Sequence, residues 1–213
     1  HPVTNAQYAE YVKASGYTGG EDSARWLVHW DWDEGTGKPK PGWEQRPVTY
    51  VSLNDARAYC AYHKKRLPHV YEWQYFAQGL DGRKYPWGND YDTAKTPGTL
   101  VPLISNNYTN PGPEPVGKYP KGASPFGVED LVGSVWQMTS EFNDEHLRSV
   151  LLRGGSNYGP WRQTQCRDCQ TDQCSKLKVP GSDLPHPMCG SHWYFPQAFQ
   201  NGQWNKYFLV SGL

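Results

Sequence analysis

The segment from Pro47 to Asn89, PVTYVSLNDARAYCAYHKKRLPHVYEWQYFAQGLDGRKYPWGN, constrains the chain most, because two short helices and a tight aromatic turn follow from it. Pro47 to Val51 reads as a short strand, and Ser52 or Asn54 caps the helix after it. Ala56, Tyr59, Cys60 and His63 then recur at helical spacing, which puts Cys60 on the buried face, where a thiol acts as a small hydrophobe. Lys64-Lys65-Arg66 suits the negative end of that helix. A second helix is expected to start at Pro68, since proline is favoured in a first turn, and to run to about Gly79 with Trp73, Phe76 and Ala77 inward. Asp81-Gly82 makes a turn, and Tyr85 to Asn89 forms a rigid aromatic loop.

The 22 glycines and 18 prolines break regular elements elsewhere, so the 10 tryptophans and 15 tyrosines must carry much of the burial. A chain of 213 residues suffices for one substantial domain, with short elements and long ordered loops. Its 21 basic and 21 acidic residues cancel, so no charge excess argues for nucleic acid or a membrane surface, and neither is expected as a partner. No apolar run approaches the roughly 18 residues of a membrane-spanning helix. The chain opens at His1 without a methionine or a visible signal peptide, which fits a removed leader or a missing start.

Near that start, Thr4 and Gln7 have capping-box spacing, Tyr8, Tyr11 and Val12 share a face, and Gly16 is a stop; residues 4–15 are expected to be helical. No period holds from Thr18 to Arg46, although His29 to Asp33 can alternate as a strand. His29, Asp31 and Asp33 would share one face of it; a polar strand edge beside packed tryptophans is favoured over a metal site. Residues 91–125 read as surface loop and include Asn107-Tyr108-Thr109, an N-glycosylation pattern that matters only in a secreted chain. Phe126 to Phe142 reads as turn, strand and turn around Trp136, Val150 to Arg153 as a buried strand, and 192–195 and 206–210 as strand-like pieces.

Five segments in order, PVTNAQYAEYV (2–12), PVTYVSLNDARAYCAYHKKRLP (47–68), EWQYFAQGLDGRKYPWGN (72–89), GVEDLVGSVWQMTSE (127–141) and LLRGGS (151–156), resemble the formylglycine-generating enzyme, or sulfatase-modifying factor, family. The resemblance implies an irregular α+β domain of C-type-lectin-like type, with a small twisted antiparallel sheet, few helices and long ordered loops. It implies one domain over residues 1–213 that lacks the family's first and last strands, because neither the Met-Gly opening segment nor the closing Asn-x-Gly-Phe-Arg is present.

For catalytic members the resemblance implies two cysteines, four residues apart and soon after the GGS segment, that bind copper(I) and use O₂ to oxidise a substrate cysteine to formylglycine. Here the segment continues Asn157-Tyr158-Gly159-Pro160-Trp161 with no cysteine. Farther on, Cys166, Cys169 and Cys174 form C-x2-C-x4-C, with Cys189 beyond. Three readings stand for these four: disulfides stapling a long loop, a structural zinc site, or a displaced copper pair at Cys169 and Cys174 as catalytic candidates. His186 and His192 lie near enough in sequence to join a metal, but loop histidines are more often solvated.

Around residues 127–137 the resemblance implies calcium positions, with an asparagine where this chain has Ser134 and a glutamate where it has Gln137. Asp130 and backbone carbonyls remain as candidate calcium ligands. Trp161, Trp193, Tyr194 and Trp204 are candidate ligand-binding residues, weighed against a simple core role beneath the loops. The function expected is a divergent member without the standard copper-cysteine site, acting as a binding or assembly module for a protein, peptide or glycan in a secreted, luminal or periplasmic setting. The alternative is an O₂-using oxidoreductase dependent on copper or iron, although the iron-using branch carries its ligands on a separate helical domain not found in these residues. An oligomeric structural role rests on composition alone.

Overall fold

The computed structural model describes residues 1–20, 26–33, 36–96, 112–144, 149–154 and 207–208. Helix α1 (Asn5–Ser15) begins and ends as its sequence dictates. Thr4 Oγ1 accepts the Gln7 N–H while the Gln7 side chain accepts the Thr4 N–H, and Gly16 closes the helix in the left-handed conformation. Helix α2 (Leu53–Tyr62) repeats the device with Ser52 and Asp55. The Asp55 carboxylate, almost wholly buried, also accepts the Tyr17 hydroxyl at 2.8 Å and the Gly20 N–H at 2.9 Å, so both of its oxygens are hydrogen-bonded.

The two helices meet through aromatic rings. Tyr8 stacks on Tyr59 at 5.4 Å, and Tyr11 meets the same ring edge-on at 5.3 Å. Leu27, Trp30, Val48, Val51 and Cys60 complete this main core, with Val135, Met138 and Leu152 entering from the sheet. A smaller cluster gathers Trp73, Phe76, Ala77 and Leu131 behind helix α3 (Val70–Gln78).

Strands β1 (Asp31–Asp33) and β2 (Thr36–Lys38) form a small antiparallel hairpin. The main sheet has the order β4 (Ser149–Arg153), β3 (Trp136–Asp144), β5 (Tyr207–Phe208). β3 and β4 are antiparallel, with register shifts between Met138 and Asp144; β5 pairs in parallel, Trp136 opposite Tyr207. The expected antiparallel sheet is thus present, with one short parallel edge.

Several local expectations change. Pro47–Val51 is no strand: only Pro47 bridges to Thr4, and Tyr50 takes φ 59°, which breaks any extended run. Helix α3 starts at Val70, two residues past Pro68. Its first turn is satisfied from elsewhere, with the Glu72 carboxylate accepting the His69 N–H at 2.8 Å and Glu141 accepting the Val70 N–H at 2.6 Å. Arg66, with help from that N–H, holds Glu72 at about 2. Lys64 lies past the end of α2 in the left-handed conformation, and Lys65 N–H returns to Cys60 O, so this basic run follows the helix rather than filling its last turn. Trp136 opens β3 instead of sitting at its centre. Within the region read as surface loop, Thr96 and Ser124 are buried, because the Thr96 hydroxyl donates to Val132 O at 2.7 Å.

Cys60 lies in the main core as its spacing implied, and burial pushes its thiol from about 9 up to about 11. Well below pH 9 the thiol is protonated in both folded and unfolded chains. As pH rises from there, the unfolded chain releases the proton first, so stability falls until the folded thiol titrates near 11. In denaturant melts run at stepped pH, Cys60→Ala is expected to lack the part of that loss that sets in near pH 9, below the range in which Tyr8, Tyr17 and Tyr59, also raised by burial, begin to contribute. Native Cys60 is expected to resist alkylation until the chain is unfolded. A Cys60→Ala chain with the same alkaline loss as its parent would show that the thiol is not the cause.

Candidate functional site

The described residues bring one polar constellation to the end of β4, where the chain enters the GGS segment. Trp73 is fully buried on α3, and a buried indole N–H needs an acceptor. It finds the side-chain oxygen of Gln137 at 2.6 Å, one residue into β3. The Gln137 side chain is fully buried too, and its Nε2 donates to the backbone oxygen of Asp130 at 3.1 Å. One amide therefore ties α3, the 128–135 loop and the sheet together.

Gly154 completes the arrangement. Its carbonyl accepts the Gly133 N–H at 2.9 Å, and its φ is 85°. A Cβ there would lie 2.5 Å from Leu131 O and 3.1 Å from Gln137 Nε2, so only glycine lets the strand end approach the loop so closely. Thr139 Oγ1 donates to Leu151 O at 2.9 Å and steadies the same stretch of β4. These contacts fix the position of Gly154 at the end of β4.

Asp130 is buried with φ 58°. Its Oδ2 accepts the Gly117 N–H at 2.8 Å, and burial raises its carboxyl above the ordinary range against the opposing effect of that hydrogen bond. The carboxylate thus faces the 112–119 loop, while the backbone oxygen faces Gln137. His29 lies in a turn before β1. Its imidazole is within 3.2 Å of Thr49 Oγ1 and packs between Trp43 and Tyr50. Among the described residues, no three His, Cys, Asp or Glu side chains gather as a metal set. Trp161, Cys166, Cys169, Cys174, His186, Cys189, His192, Trp193, Tyr194 and Trp204 lie outside the described residues, as does the Asn107 sequon.

Sequence reading singled out Gln137 and Trp73 separately and missed that they meet. The available signal was chemical: an inward tryptophan requires an acceptor, and a glutamine replacing a carboxylate in a buried stretch supplies one.

The model of the sulfatase-modifying factor enzyme 1-like domain matches residues 1–182. The inactive C-alpha-formylglycine-generating enzyme 2 of Bos taurus is 40% identical over 117 residues, covering 52% of this chain and 38% of that protein. The formylglycine-generating enzyme of Mycobacterium tuberculosis is 31% identical over 198 residues, covering 68% of this chain and 64% of the enzyme. The hercynine oxygenase of Mycolicibacterium smegmatis is 31% identical over 164 residues, with 65% and 35% covered. The chain therefore spans between about a third and two thirds of the length of these relatives. Among solved structures, PvdO from Pseudomonas aeruginosa superposes with a TM-score of 0.53 at 23% identity, covering 75% of this chain and 67% of that one, which supports the shared fold. Among the described residues, no helix is long and apolar enough to cross a membrane.

Proposed function

The chain belongs to the sulfatase-modifying factor enzyme 1-like family, and from that premise we propose that it is a divergent member without the standard copper-cysteine site, working as a binding or assembly module. One observation carries the reading. β4 delivers the chain to Gly154 at a fixed point, and the residues that follow, Gly155-Ser156-Asn157-Tyr158-Gly159-Pro160-Trp161, contain no thiolate where the family resemblance puts the first copper ligand. Copper(I) prefers soft thiolate donors, and neither an asparagine nor a tyrosine replaces one. A relative at 40% identity, which is itself named as inactive, supports the same direction.

On this reading the loops after Ser156 form the recognition surface. Trp161, Trp193, Tyr194 and Trp204 supply flat apolar faces with polar edges, suited to a peptide or a glycan. Cys166, Cys169, Cys174 and Cys189 staple those loops as disulfides in an oxidising compartment. The C-x4-C interval from Cys169 to Cys174 favours a second reading, in which these two thiolates form a displaced copper pair.

The discriminating experiment incubates the natively purified protein with copper(I), O₂ and a sulfatase-type cysteine peptide, and follows the peptide by mass spectrometry. No formylglycine is expected. Its appearance, with loss on Cys169→Ser, would replace the module reading with the oxidase one. Alkylation with and without prior reduction gives the companion result: the four clustered cysteines are expected to react only after reduction.

A further inference from the structure

We propose that the side-chain amide of Gln137 takes the place of a calcium ion, so that the loop from Val128 to Val135 is clasped to α3 and the sheet without metal. The inference is independent of the module reading, because it concerns how the fold is closed and not what it binds. The family resemblance implies a calcium position here, with a glutamate at 137 and an asparagine at 134. The residues present do not fit one.

The orientation of the Gln137 amide follows from its partners. An indole N–H can only donate, so the atom 2.6 Å from Trp73 Nε1 is the amide oxygen. A backbone carbonyl can only accept, so the atom 3.1 Å from Asp130 O is the amide nitrogen. The group aimed at the Asp130 carbonyl is therefore an NH₂ carrying partial positive charge. A hard cation requires several oxygen ligands, and this donor repels it.

Three oxygens of the surrounding segments already accept within the protein. Asp130 Oδ2 accepts from Gly117 N, Val132 O from Thr96 Oγ1 and Gly154 O from Gly133 N. Ser134, buried, brings an uncharged hydroxyl where a longer amide oxygen would be needed. Asp130 O, Asp130 Oδ2, Val132 O and Gly154 O are thus each met by an N–H or O–H group of the protein. The amide performs the bridging that a cation would perform: it draws a carbonyl of the loop toward the start of β3.

A glutamate at 137 reverses the situation. It still accepts from Trp73, but once ionised its second oxygen faces the Asp130 carbonyl with no proton or ion between them. The test compares wild type, Gln137→Glu and Gln137→Met, each with a calcium chelator and with millimolar calcium. In the wild type, the Trp73 indole N–H resonance, assigned by its loss in Trp73→Phe, is expected to stay in place throughout the calcium titration. Gln137→Glu is expected to melt several degrees lower than wild type in chelator. Gln137→Met, which keeps the volume and removes both hydrogen bonds, is also expected to melt lower, and calcium leaves it unchanged. A saturable calcium shift of the wild-type Trp73 resonance overturns the proposal, and so does a Gln137→Glu or Gln137→Met chain as stable as wild type in chelator.

Discussion

Asn5→Ala is expected to destabilise the protein by about 4 kcal/mol, since it combines an orphaned buried donor, lost carbonyl partners and a cavity. Asn5 is the first residue of α1, and its side chain is fully buried. Its Nδ2 lies 3.0 Å from Trp43 O, 3.0 Å from Arg46 O and 3.3 Å from Pro47 O, while its Oδ1 accepts the Trp30 indole N–H at 2.9 Å. Four backbone or ring groups from two distant segments thus converge on one short amide. Alanine keeps the helix propensity and loses all of these bonds. The cap itself is unaffected, because Thr4 and Gln7 supply it. Thr4→Ala is accordingly the smaller change, about 1 kcal/mol, the usual cost of losing a capping hydroxyl. Urea denaturation of the two variants separates these contributions, and an Asn5→Ala loss no greater than that of Thr4→Ala would show that the hub carries no more than the cap.

The contrast between Asn5 and Thr4 also marks where the sequence is legible. Thr4, Gln7 and Gly16 act on neighbours within a turn, so α1 could be read at both ends. The same holds for Ser52 and Asp55 at α2 and for the inward face of α3, where Trp73, Phe76 and Ala77 are buried as their spacing implied. The failures share one cause, which is satisfaction by a remote partner. Pro47 to Val51 has strand composition, yet its backbone bonds serve the segment ahead of α1 and a turn: Val48 N donates to Val3 O and Tyr50 O accepts from Leu27 N. Pro68 carries the signal for a helix start, but Glu141 arrives from β3 to cap Val70 and sets the start two residues later.

For the candidate site the balance is similar. Glycine after Arg153, glutamine in place of a carboxylate and an inward tryptophan were each visible as residue types. Trp73 and Gln137 are 64 positions apart, and no spacing rule pairs them. Only the packing of α3 on the sheet does so. The family resemblance conveyed the fold because its segments recur in order, whereas the chemistry was legible only as a departure at particular positions. That asymmetry is expected when a scaffold is retained and its site residues change.

Gly154→Ala is the second large effect, and it tests the joint on which both the clasp and the entry to the GGS segment depend. Two costs add at this position. At φ 85° an L side chain is strained by about 1–2 kcal/mol. The new Cβ would also stand 2.5 Å from Leu131 O, a backbone atom in the core-lining loop that cannot swing aside, and 3.1 Å from Gln137 Nε2. Overpacking of that kind costs about 1–3 kcal/mol, so a total near 4 kcal/mol is expected. Gly16→Ala isolates the first cost, because Gly16 has φ 67° and a Cβ there meets nothing within 4 Å. The difference between the two variants, measured by thermal or chemical unfolding, therefore reports the clash alone. If relief of the clash pushes the loop off the strand end, Gly154→Ala also weakens the Gln137 bridge, and the Trp73 indole N–H resonance moves although Trp73 is untouched. Equal destabilisation of the two variants with an unmoved Trp73 resonance would mean that the loop yields freely at Leu131, and that Gly154 is not held by the geometry described.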